Sequence, residues 1–434
     1  MTPNWRNIFL FGLMGAALVM TGMYQSWTLA LTILNMGLIS SIMALGVNMQ
    51  WGYAGLFNVG VMGYTALGGL AVVLIGMPPV GEAWSAGGLG VILGVLIGIG
   101  TILAAIALWN RMAPGRLRVL ALIAMLAAGF ALNRYFFLPA AAAIEAVNPA
   151  SEGYLGGLGL PVLLAWPVGA LFAAAAAWLI GRIALGLRSD YLAIATLGIS
   201  EIIINFLKNE DWLSRGVKNV VGLPRPVATP VEMRQYEFVF QMSQMTGIPI
   251  NRMATIASMA GFALLFLLVL AILMWLAEKA LNSPWGRMMR AIRDNETAAR
   301  AMGKDVTRRH LNIFVLGSAV CGLAGAMMVT LDGQLNPGTY EPLRYTFLIW
   351  VMVIVGGQGN NWGAVLGGLV IWFLWVQVEP AGRWLAEVLT SGFGADSSVR
   401  DHIMNNVAHM RLLTMGIAML LVMRFSPRGL IPER

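Results

Sequence analysis

The sequence predicts an all-α fold, a polytopic transmembrane helical bundle of about 10–12 membrane segments that include short or broken ones. The 434 residues are 58% hydrophobic and 11% charged, whereas a soluble domain carries about 25% charged residues. Runs of about 20 residues without charge recur, which is the length that crosses a bilayer core. Backbone groups in lipid must be paired internally, and the alternating pattern of a membrane barrel is absent. Residues 1–434 are therefore predicted to form a single transmembrane domain.

Twelve apolar segments are the predicted membrane elements. The first follows Arg6 and has no clean small-residue cleavage site after it, so it is predicted to be a retained helix rather than a signal peptide. In chain order the segments lie near residues 7–24, 27–48, 53–76, 86–109, 117–138, 161–181, 190–208, 252–278, 311–331, 345–356, 362–378 and 410–424.

The orientation follows from the lysines and arginines between these segments. With the N-terminus inside, 17 of the 28 basic residues and 6 of the 20 acidic residues fall on the inner side. The opposite orientation would place the basic excess outside, so both termini are predicted to be cytoplasmic. The basic composition then reflects topology and does not indicate nucleic-acid binding. Residues 209–251 and 379–409 become periplasmic segments, and residues 282–310 become a cytoplasmic loop.

Two membrane segments are rich in glycine. The stretch GYAGLFNVGVMGYTALGGL (52–70) has six glycines, and VGGQGNNWGAVLGGLV (355–370) has six more together with three amide side chains. Short, glycine-interrupted segments are typical of discontinuous helices at a transport path, although glycine also serves close helix packing alone. The candidate path residues in these stretches are Asn58, Gly63, Gly357, Gln358 and Asn360.

One carboxylate is predicted to lie inside the membrane. Glu201 follows Asp190 by 11 residues, a depth of about 16 Å at the helical rise. A lone charge at that depth usually faces the bundle interior or a wet cavity. Asn205 shares its helix face, and Tyr191 begins the same segment. These three residues are candidates for a gate or a subunit contact, and the alternative is a satisfied internal hydrogen bond between helices.

The charged insert between two apolar segments runs from Asn282 to His310. Ser283 and Pro284 form a helix-start signal, and a second short helix is predicted after Asp294 or Asn295, ending at Gly303. A charged rim around small residues suits a docking surface for another protein, and the alternative is a solvated basic loop. The candidate docking residues are Arg290, Arg293, Asp294, Glu296, Ala298, Ala299, Met302 and Gly303.

Four stretches together resemble the larger, LivM-type permease subunits of branched-chain amino acid ABC importers. They are GRMMRAIRDNETAARAMGKDVTRRHLNIFVLGSAVCGLAGAM, VIVGGQGNNWGAVLGG, DYLAIATLGISEII and the ending RFSPRGLIPE. The loop signature of ABC permeases is met by Glu296, Ala298, Ala299, Gly303 and Ile313, with Thr297 inserted. The resemblance covers most of the chain from about Leu38 to the end.

The resemblance implies a bacterial inner-membrane location and an importer with several subunits. Residues around 284–304 would form a coupling helix in a groove of a cytoplasmic ATPase. The implied partners are a second homologous permease subunit, two cytoplasmic ATP-binding subunits and a periplasmic substrate-binding protein. ATP and Mg would be bound by the partner subunits, and this chain would hold no cofactor of its own.

The residues themselves point to a chain that is not an enzyme. None of the four lysines lies in a phosphate-binding glycine-rich loop, and the single Cys321 and three scattered histidines have no metal-ligand spacing. Transport against a gradient would then need an ATPase partner or an ion gradient. Three alternatives stay open: the same machine carrying urea, short amides or other amino acids, an ion-coupled secondary transporter using Glu201, and a structural membrane subunit.

Overall fold

The computed structural model describes residues 5–391 and 397–433, and that part of the chain is almost entirely helical. Ten of its helices are long and apolar enough to cross a membrane, and α3 and α12 are shorter apolar helices. In chain order the helices are α1 (Trp5–Tyr24), α2 (Trp27–Gly52), α3 (Val61–Gly76), α4 (Gly81–Arg111), α5 (Arg116–Glu145), α6 (Val162–Ala184), α7 (Ser189–Asn209), α8 (Ile250–Asn282), α9 (Pro284–Asp294), α10 (Glu296–Ala301), α11 (Val306–Asp332), α12 (Pro342–Gly356), α13 (Asn361–Leu389) and α14 (Val407–Phe425). Each of the twelve predicted segments coincides with one of these helices, so the predicted fold class is confirmed.

Glycines determine where the two short helices end. The segment predicted at 53–76 becomes helical only at Val61, after a loop in which Gly55 has a φ of 71°. Helix α12 ends at Gly356 because Gly357 and Gly359 have φ values of 120° and 75°. Its 15 residues span only about 22 Å at the helical rise. Both helices therefore stop short at the end of the bundle that carries the charged insert, hereafter the insert end.

The core is built around α2 and α11, whose most apolar windows are each 78% buried. Small residues let the central helices approach closely. A Cβ atom at Gly68 would collide with the carbonyl of Gly322, and one at Gly325 would collide with the carbonyl of Thr65. Close backbone approach replaces hydrophobic burial as the source of helix association where the solvent is lipid.

Helices α4 and α5 pair with each other and stand apart from this core. The most apolar window of α4 is 11% buried and that of α5 is 0% buried. The pair is attached at the end opposite the insert, where the rings of Phe137 and Trp212 meet edge to face at 5.5 Å.

The segment 209–251 lies at the opposite end and is folded. It holds short helices at Asp211–Ser214, Pro230–Met233 and Glu237–Thr246. Strand β1 (Val220–Val221) pairs antiparallel with β2 (Gln334–Leu335), with Val220 opposite Leu335. This pairing ties the segment to the connection that follows α11.

The second predicted periplasmic segment, 379–409, begins within a helix. Helix α13 continues to Leu389, and a short helix follows at Ser398–Asn405. Residues 392–396 of that segment lie outside the described residues.

Candidate coupling site at the insert end of the bundle

The charged insert consists of two capped helices. The hydroxyl of Ser283 accepts the backbone N–H of Trp285 at 3.2 Å at the start of α9. The side chain of Asn295 accepts the N–H of Ala298 at 2.9 Å at the start of α10. Gly303 follows α10 with a φ of 74°, a backbone region that suits glycine. The caps satisfy N–H groups at the start of each helix and so define two ordered helices, which a freely solvated loop would not require.

Each of the two helices packs one face against the bundle and leaves the other face exposed. Gly286, Met289 and Ile292 bury one face of α9, and Ala299 is the buried residue of α10. Asp294, Glu296, Ala298 and Gly303 are exposed, and Met302 is 79% exposed. The predicted docking surface is therefore smaller than the sequence suggested, because Ala299 faces its own chain.

The spacing of charges in the sequence predicts two i,i+4 ion pairs in the insert, Arg290–Asp294 and Glu296–Arg300, and the structure forms one of them. Arg300 and Glu296 form the predicted i,i+4 pair at 2.6 Å. Asp294 pairs with the neighbouring Arg293 at 3.1 Å, and no ion pair between Arg290 and Asp294 occurs among the described residues. Asp294 instead contacts the adjacent Arg293, which also bonds to Gly52 and Glu433.

Arg293 joins the insert to two other parts of the chain. Its Nη1 donates to the carbonyl of Gly52 at the end of α2 and to the carboxylate of Glu433 at 3.0 Å. Burial lowers the pKa of the Arg293 guanidinium, but hydrogen bonds and charges from Glu433 and Asp294 outweigh it and raise the pKa overall. The guanidinium is therefore permanently charged and can serve as a fixed link between α9, α2 and the C-terminal tail (residues 426–433).

Arg290 lies half-buried on the same helix and faces the same group of charges. Burial raises the pKa of the Tyr53 hydroxyl, and the carboxylates of Glu278 and Glu433 raise it further. Arg290 and Arg293 act on that hydroxyl in the opposite direction. Tyr53 thus stays protonated under the influence of two carboxylates and two guanidinium groups.

The loop between α2 and α3 is pinned by Asn58. Its side chain accepts the N–H of Gly60 at 2.9 Å and donates to Oε1 of Gln50 at 2.9 Å. Gln50 in turn donates to the carbonyl of Phe314 at 2.8 Å, and the indole N–H of Trp350 donates to the carbonyl of Asn58 at 3.2 Å. Asn58 is buried, and these contacts hold the loop in place, whereas its role in a transport path stays a prediction.

The turn between α12 and α13 is held by the C-terminal tail. The N–H groups of Leu430 and Ile431 donate to the carbonyls of Val355 and Gly356, both at 2.8 Å. A side chain at Gly357 would collide with the carbonyl of Ile431. The tail therefore pairs, like an added strand, with the open carbonyl end of α12.

Asn360 completes this turn. Its side-chain oxygen accepts the N–H of Trp362 at 3.0 Å and caps α13, and its amide donates to the carbonyl of Pro432 at 3.0 Å. The neighbouring Gln358 is exposed. Of the candidate path residues in this stretch, Gly357 and Asn360 thus serve the turn, and Gln358 is the one that reaches the surface.

Buried amides link this turn to α2 and α8. The N–H of Gly359 donates to Oδ1 of Asn48 at 2.9 Å, and Nδ2 of Asn48 lies 3.3 Å from Oδ1 of Asn361. Asn361 donates to the carboxylate of Glu278 at 3.1 Å. These contacts, with those of Arg293, Asn58, Asn360 and the tail, form what we call the insert-end network.

Sequence reasoning missed several members of this network, namely Asn48, Gln50, Glu278, Asn361 and Glu433. The available signal was the presence of amides inside apolar runs, as in GVNMQWG at 46–52. A buried polar group needs a partner, so such amides mark contacts even when the partner cannot be identified.

The candidates on α7 lie elsewhere. Tyr191 is 61% exposed, and Glu201 and Asn205 are exposed on the same face, together with Gly198. Asn205 donates to the backbone carbonyl of Glu201 at 2.9 Å and lies 3.5 Å from its carboxylate. Glu201 therefore faces away from the bundle, because α7 buries its opposite face, and the alternative of a hydrogen bond to another helix is wrong; a gate or a subunit contact stays a prediction.

Gly63 of α3 lies against the buried face of α7. A Cβ atom at Gly63 would come within 2.9 Å of Cα of Ser200, so α3 and α7 cross closely at this point. Gly63 is therefore a packing residue under α7 and leaves the face of Glu201 uncovered.

A partly open cavity of about 80 Å³ lies between α2, α3, α11, α12 and α13. Asp332, Thr339 and Tyr345 line the part nearest the end opposite the insert. The remaining wall is mostly apolar and rich in methionine, with Met36, Ile39, Met43, Met62, Met328, Leu348, Ile349 and Met352 beside Ser40 and Trp372. Methionine walls adapt to the shape of an apolar guest.

Within the described residues no cluster of three or more histidine, cysteine, aspartate or glutamate side chains is arranged to hold a metal ion.

Comparison with known proteins identifies the family. A profile described as "Branched-chain amino acid transport system / permease component" matches residues 140–423. The high-affinity branched-chain amino acid transport system permease protein LivM of Escherichia coli (strain K12) is 26% identical over 296 residues, which cover 67% of this chain and 61% of that protein. The probable branched-chain amino acid transport permease protein LivM of Methanocaldococcus jannaschii is 26% identical over 275 residues, 63% of this chain and 67% of that protein.

A more distant relative is named for the import of a different substrate, fructose. The fructose import permease protein FrcC of Rhizobium meliloti is 25% identical over 114 residues, 25% of this chain and 31% of that protein. No solved structure matches the chain. The resemblance to LivM-type subunits is confirmed, and the chain belongs to the family of permease components of branched-chain amino acid transport systems.

Proposed function

We propose that the chain is the non-catalytic permease subunit of an ATP-driven ABC importer for branched-chain or related hydrophobic amino acids. It would lie in a bacterial inner membrane with both termini in the cytoplasm. Its partners would be a second homologous permease subunit, two cytoplasmic ATP-binding subunits that hold ATP and Mg, and a periplasmic substrate-binding protein. The insert end is then the cytoplasmic end.

The observation that carries this proposal is the set of contacts around Arg293. This residue connects α9 to the end of α2 and, through Glu433, to the tail that pairs with α12. A displacement of the insert by an ATP-binding subunit would therefore be transmitted to two membrane helices, α2 and α12, at once. Packed interfaces with discrete arrangements convert a small local shift into rearrangement of whole helices.

The exposed face of α7 supports a second permease subunit. An uncovered carboxylate within a membrane segment is costly in lipid and normally faces a partner or a water-filled cavity. Glu201 and Asn205 lie on such a face, and Gly198, one turn before Glu201 on the same face, would let another helix approach. The face would be covered in the assembled transporter and would border the path between the two permeases.

The methionine-rich cavity supports an apolar substrate. It lies between the central helices, and the aliphatic side chains of branched-chain amino acids, which have three or four carbons, match its lining in character and roughly in size. The names of the curated relatives, which specify branched-chain amino acids for both LivM proteins, point in the same direction.

The test is to disrupt the outward face of α10 while leaving the bundle unchanged. The variants Ala298→Glu and Met302→Glu place charge on exposed positions, and Met245→Glu, exposed in the segment 209–251, is the matched control. We expect both insert variants to lose co-purification of the ATP-binding subunits and amino acid uptake, with an unchanged melting temperature. Normal uptake and normal co-purification in both variants would refute the coupling assignment.

One observation, the exposed carboxylate of Glu201, supports a second candidate function. The exposed carboxylate of Glu201 could exchange protons if the chain were an ion-coupled secondary transporter. That function predicts uptake by the chain alone in liposomes, driven by a proton gradient and abolished by Glu201→Gln. Under the proposal made above, the chain alone transports nothing.

A further inference from the structure

The tip of the α4–α5 hairpin concentrates positive charge. Arg111, Arg116 and Arg118 lie within eight residues, and the stretch between Glu82 and Glu145 contains no aspartate or glutamate. Among the described residues none of the three arginines forms an ion pair. Since α4 starts at the end opposite the insert and crosses once, this tip lies at the insert end of the molecule.

One of these arginines is held in a fixed position. The guanidinium of Arg118 lies 3.4 Å from the ring centroid of Trp109, and its Nη1 donates to the carbonyl of Met112 at 3.5 Å. Its Nε is buried and has no hydrogen-bond partner. Stacking on an indole orients the planar fork of the guanidinium and leaves donors directed at a further acceptor.

The charge stands beside an open apolar groove. A groove of about 700 Å³ is lined by Trp109, Pro114, Arg116, Arg118, Val119 and Leu120. Leu117 and Leu120 are largely exposed next to it, at 77% and 64%. The surface is therefore amphiphilic, with unpaired cations at the tip and aliphatic side chains along the helix.

We infer that the hairpin tip binds an anionic phospholipid. Arg116 and Arg118 would hold the phosphate, because a guanidinium matches phosphate oxygens with two parallel hydrogen bonds. The acyl chain would lie along Trp109, Val119 and Leu120. Basic groups between membrane helices on the inner side are the usual partners of anionic headgroups.

The apolar groove decides between a lipid and other anions. A free phosphate ion would leave Trp109, Val119 and Leu120 without a partner, whereas one phospholipid satisfies the charge and the apolar wall together. The hairpin is bare along nearly all its length, so lipid has open access to it. This inference does not depend on which substrate the transporter carries.

The experiment uses quenching of tryptophan fluorescence by lipids with brominated chains. The full chain has 15 tryptophans, so the Trp109 contribution is the difference between wild type and Trp109→Phe in mixed micelles. We expect brominated phosphatidylglycerol to quench this contribution at several-fold lower concentration than brominated phosphatidylcholine. Arg116→Gln and Arg118→Gln should remove that preference, and Arg188→Gln, an exposed arginine in the α6–α7 turn, should keep it.

Inorganic phosphate separates the two sources of the anion. Millimolar phosphate should leave quenching by phosphatidylglycerol unchanged if the site is built for a lipid. Displacement by phosphate alone, or equal quenching by both lipids, would overturn the inference. Because Arg116 is exposed and has no partner to lose, its glutamine variant is expected to fold, and an unchanged lipid preference in that variant would also overturn it.

Discussion

At the scale of single residues, the proposed coupling depends on Arg293 and its three acceptors. The side chain satisfies the carbonyl at the end of α2 and the carboxylates of Glu433 and Asp294. A lysine could not reproduce this, because its ammonium lacks the planar fork of donors. The residue is thus a better candidate for transmitting movement than the exposed ion pairs of the same loop.

The first prediction concerns this residue. Arg293→Gln should leave two carboxylates and one carbonyl without their donor, at a cost of about 1–3 kcal/mol for each group left buried. We expect uptake to fall about tenfold or more, which corresponds to about 1.4 kcal/mol. The measurement is uptake into vesicles that contain the complete transporter.

Arg383→Gln is the matched control, since Arg383 forms an exposed i,i+4 pair with Glu379 at 3.1 Å. Exposed pairs contribute about 0–1 kcal/mol, so this variant should transport normally. Equal losses in both variants would mean that any removed arginine disturbs the protein and that Arg293 has no special role.

The second prediction concerns Asn58. Asn58→Leu has nearly the same volume but leaves the N–H of Gly60 and Oε1 of Gln50 without their buried partner. The expected loss is about 2–4 kcal/mol of unfolding free energy from the two groups, seen as a lower melting temperature in detergent. Leu56→Asn, which changes a buried apolar neighbour, shows what altered polarity in the loop does without this hydrogen-bond pair. A melting temperature unchanged by Asn58→Leu would show that these hydrogen bonds do not hold the loop in place.

At the scale of helices, the central crossings depend on glycine. The third prediction is that Gly68→Ala destabilises the bundle, because its methyl group would meet the carbonyl of Gly322 with no flexible side chain to move aside. Gly100→Ala, at a position on α4 with open space around it, should have little effect or be slightly stabilising, since alanine favours helix. The measurement is the melting temperature of each variant in the same detergent. An equal change in both variants would contradict the special role of the crossing at Gly68.

The sequence predicted elements better than it predicted contacts. All twelve apolar runs became helices because lipid allows few other structures, and glycines at 55 and 357 correctly marked interruptions. It could not reveal that Glu201 faces outward, because an amphipathic pattern gives two faces without saying which one is covered. It also could not reveal that Glu433 meets Arg293, since these residues are 140 positions apart.

The fourth prediction concerns the tail as an element. A chain that ends at Gly429 loses the two N–H groups that pair with the carbonyls of Val355 and Gly356, and it loses the buried Ile431. We expect the turn between α12 and α13 to open and exchange its amide hydrogens faster, with uptake reduced. The control is Met423→Ala, which changes an exposed side chain of α14. Unchanged exchange in the shortened chain would exclude the tail from the coupling site.

At the scale of the whole molecule, the chain is organised as a tight core with surfaces left uncovered. Helices α2 and α11 are buried on most sides, while α7 shows a face with a carboxylate and α4 and α5 are bare. A membrane offers no hydrophobic gain for covering an apolar face, so bare leucine faces need no partner. The polar face of α7 does need one, which distinguishes it from the bare surfaces of α4 and α5.

The last prediction follows from that distinction and uses cysteine protection. Cys321 is the chain's own cysteine and is buried and free. Its thiol should therefore react slowly with a maleimide, so the labelling of an introduced cysteine can be measured above this background. Gly198→Cys on the exposed face of α7 has open space for its side chain, and Leu268→Cys on α8 is an exposed apolar control.

In the isolated chain a maleimide should label both cysteines. In the assembled transporter the cysteine at 198 should react at least about tenfold more slowly, while the one at 268 should react as before, because only a face with an uncompensated carboxylate must be covered in lipid. Equal labelling at position 198 with and without the partner would show that α7 is not the permease interface, and Glu201 would then have to face water directly.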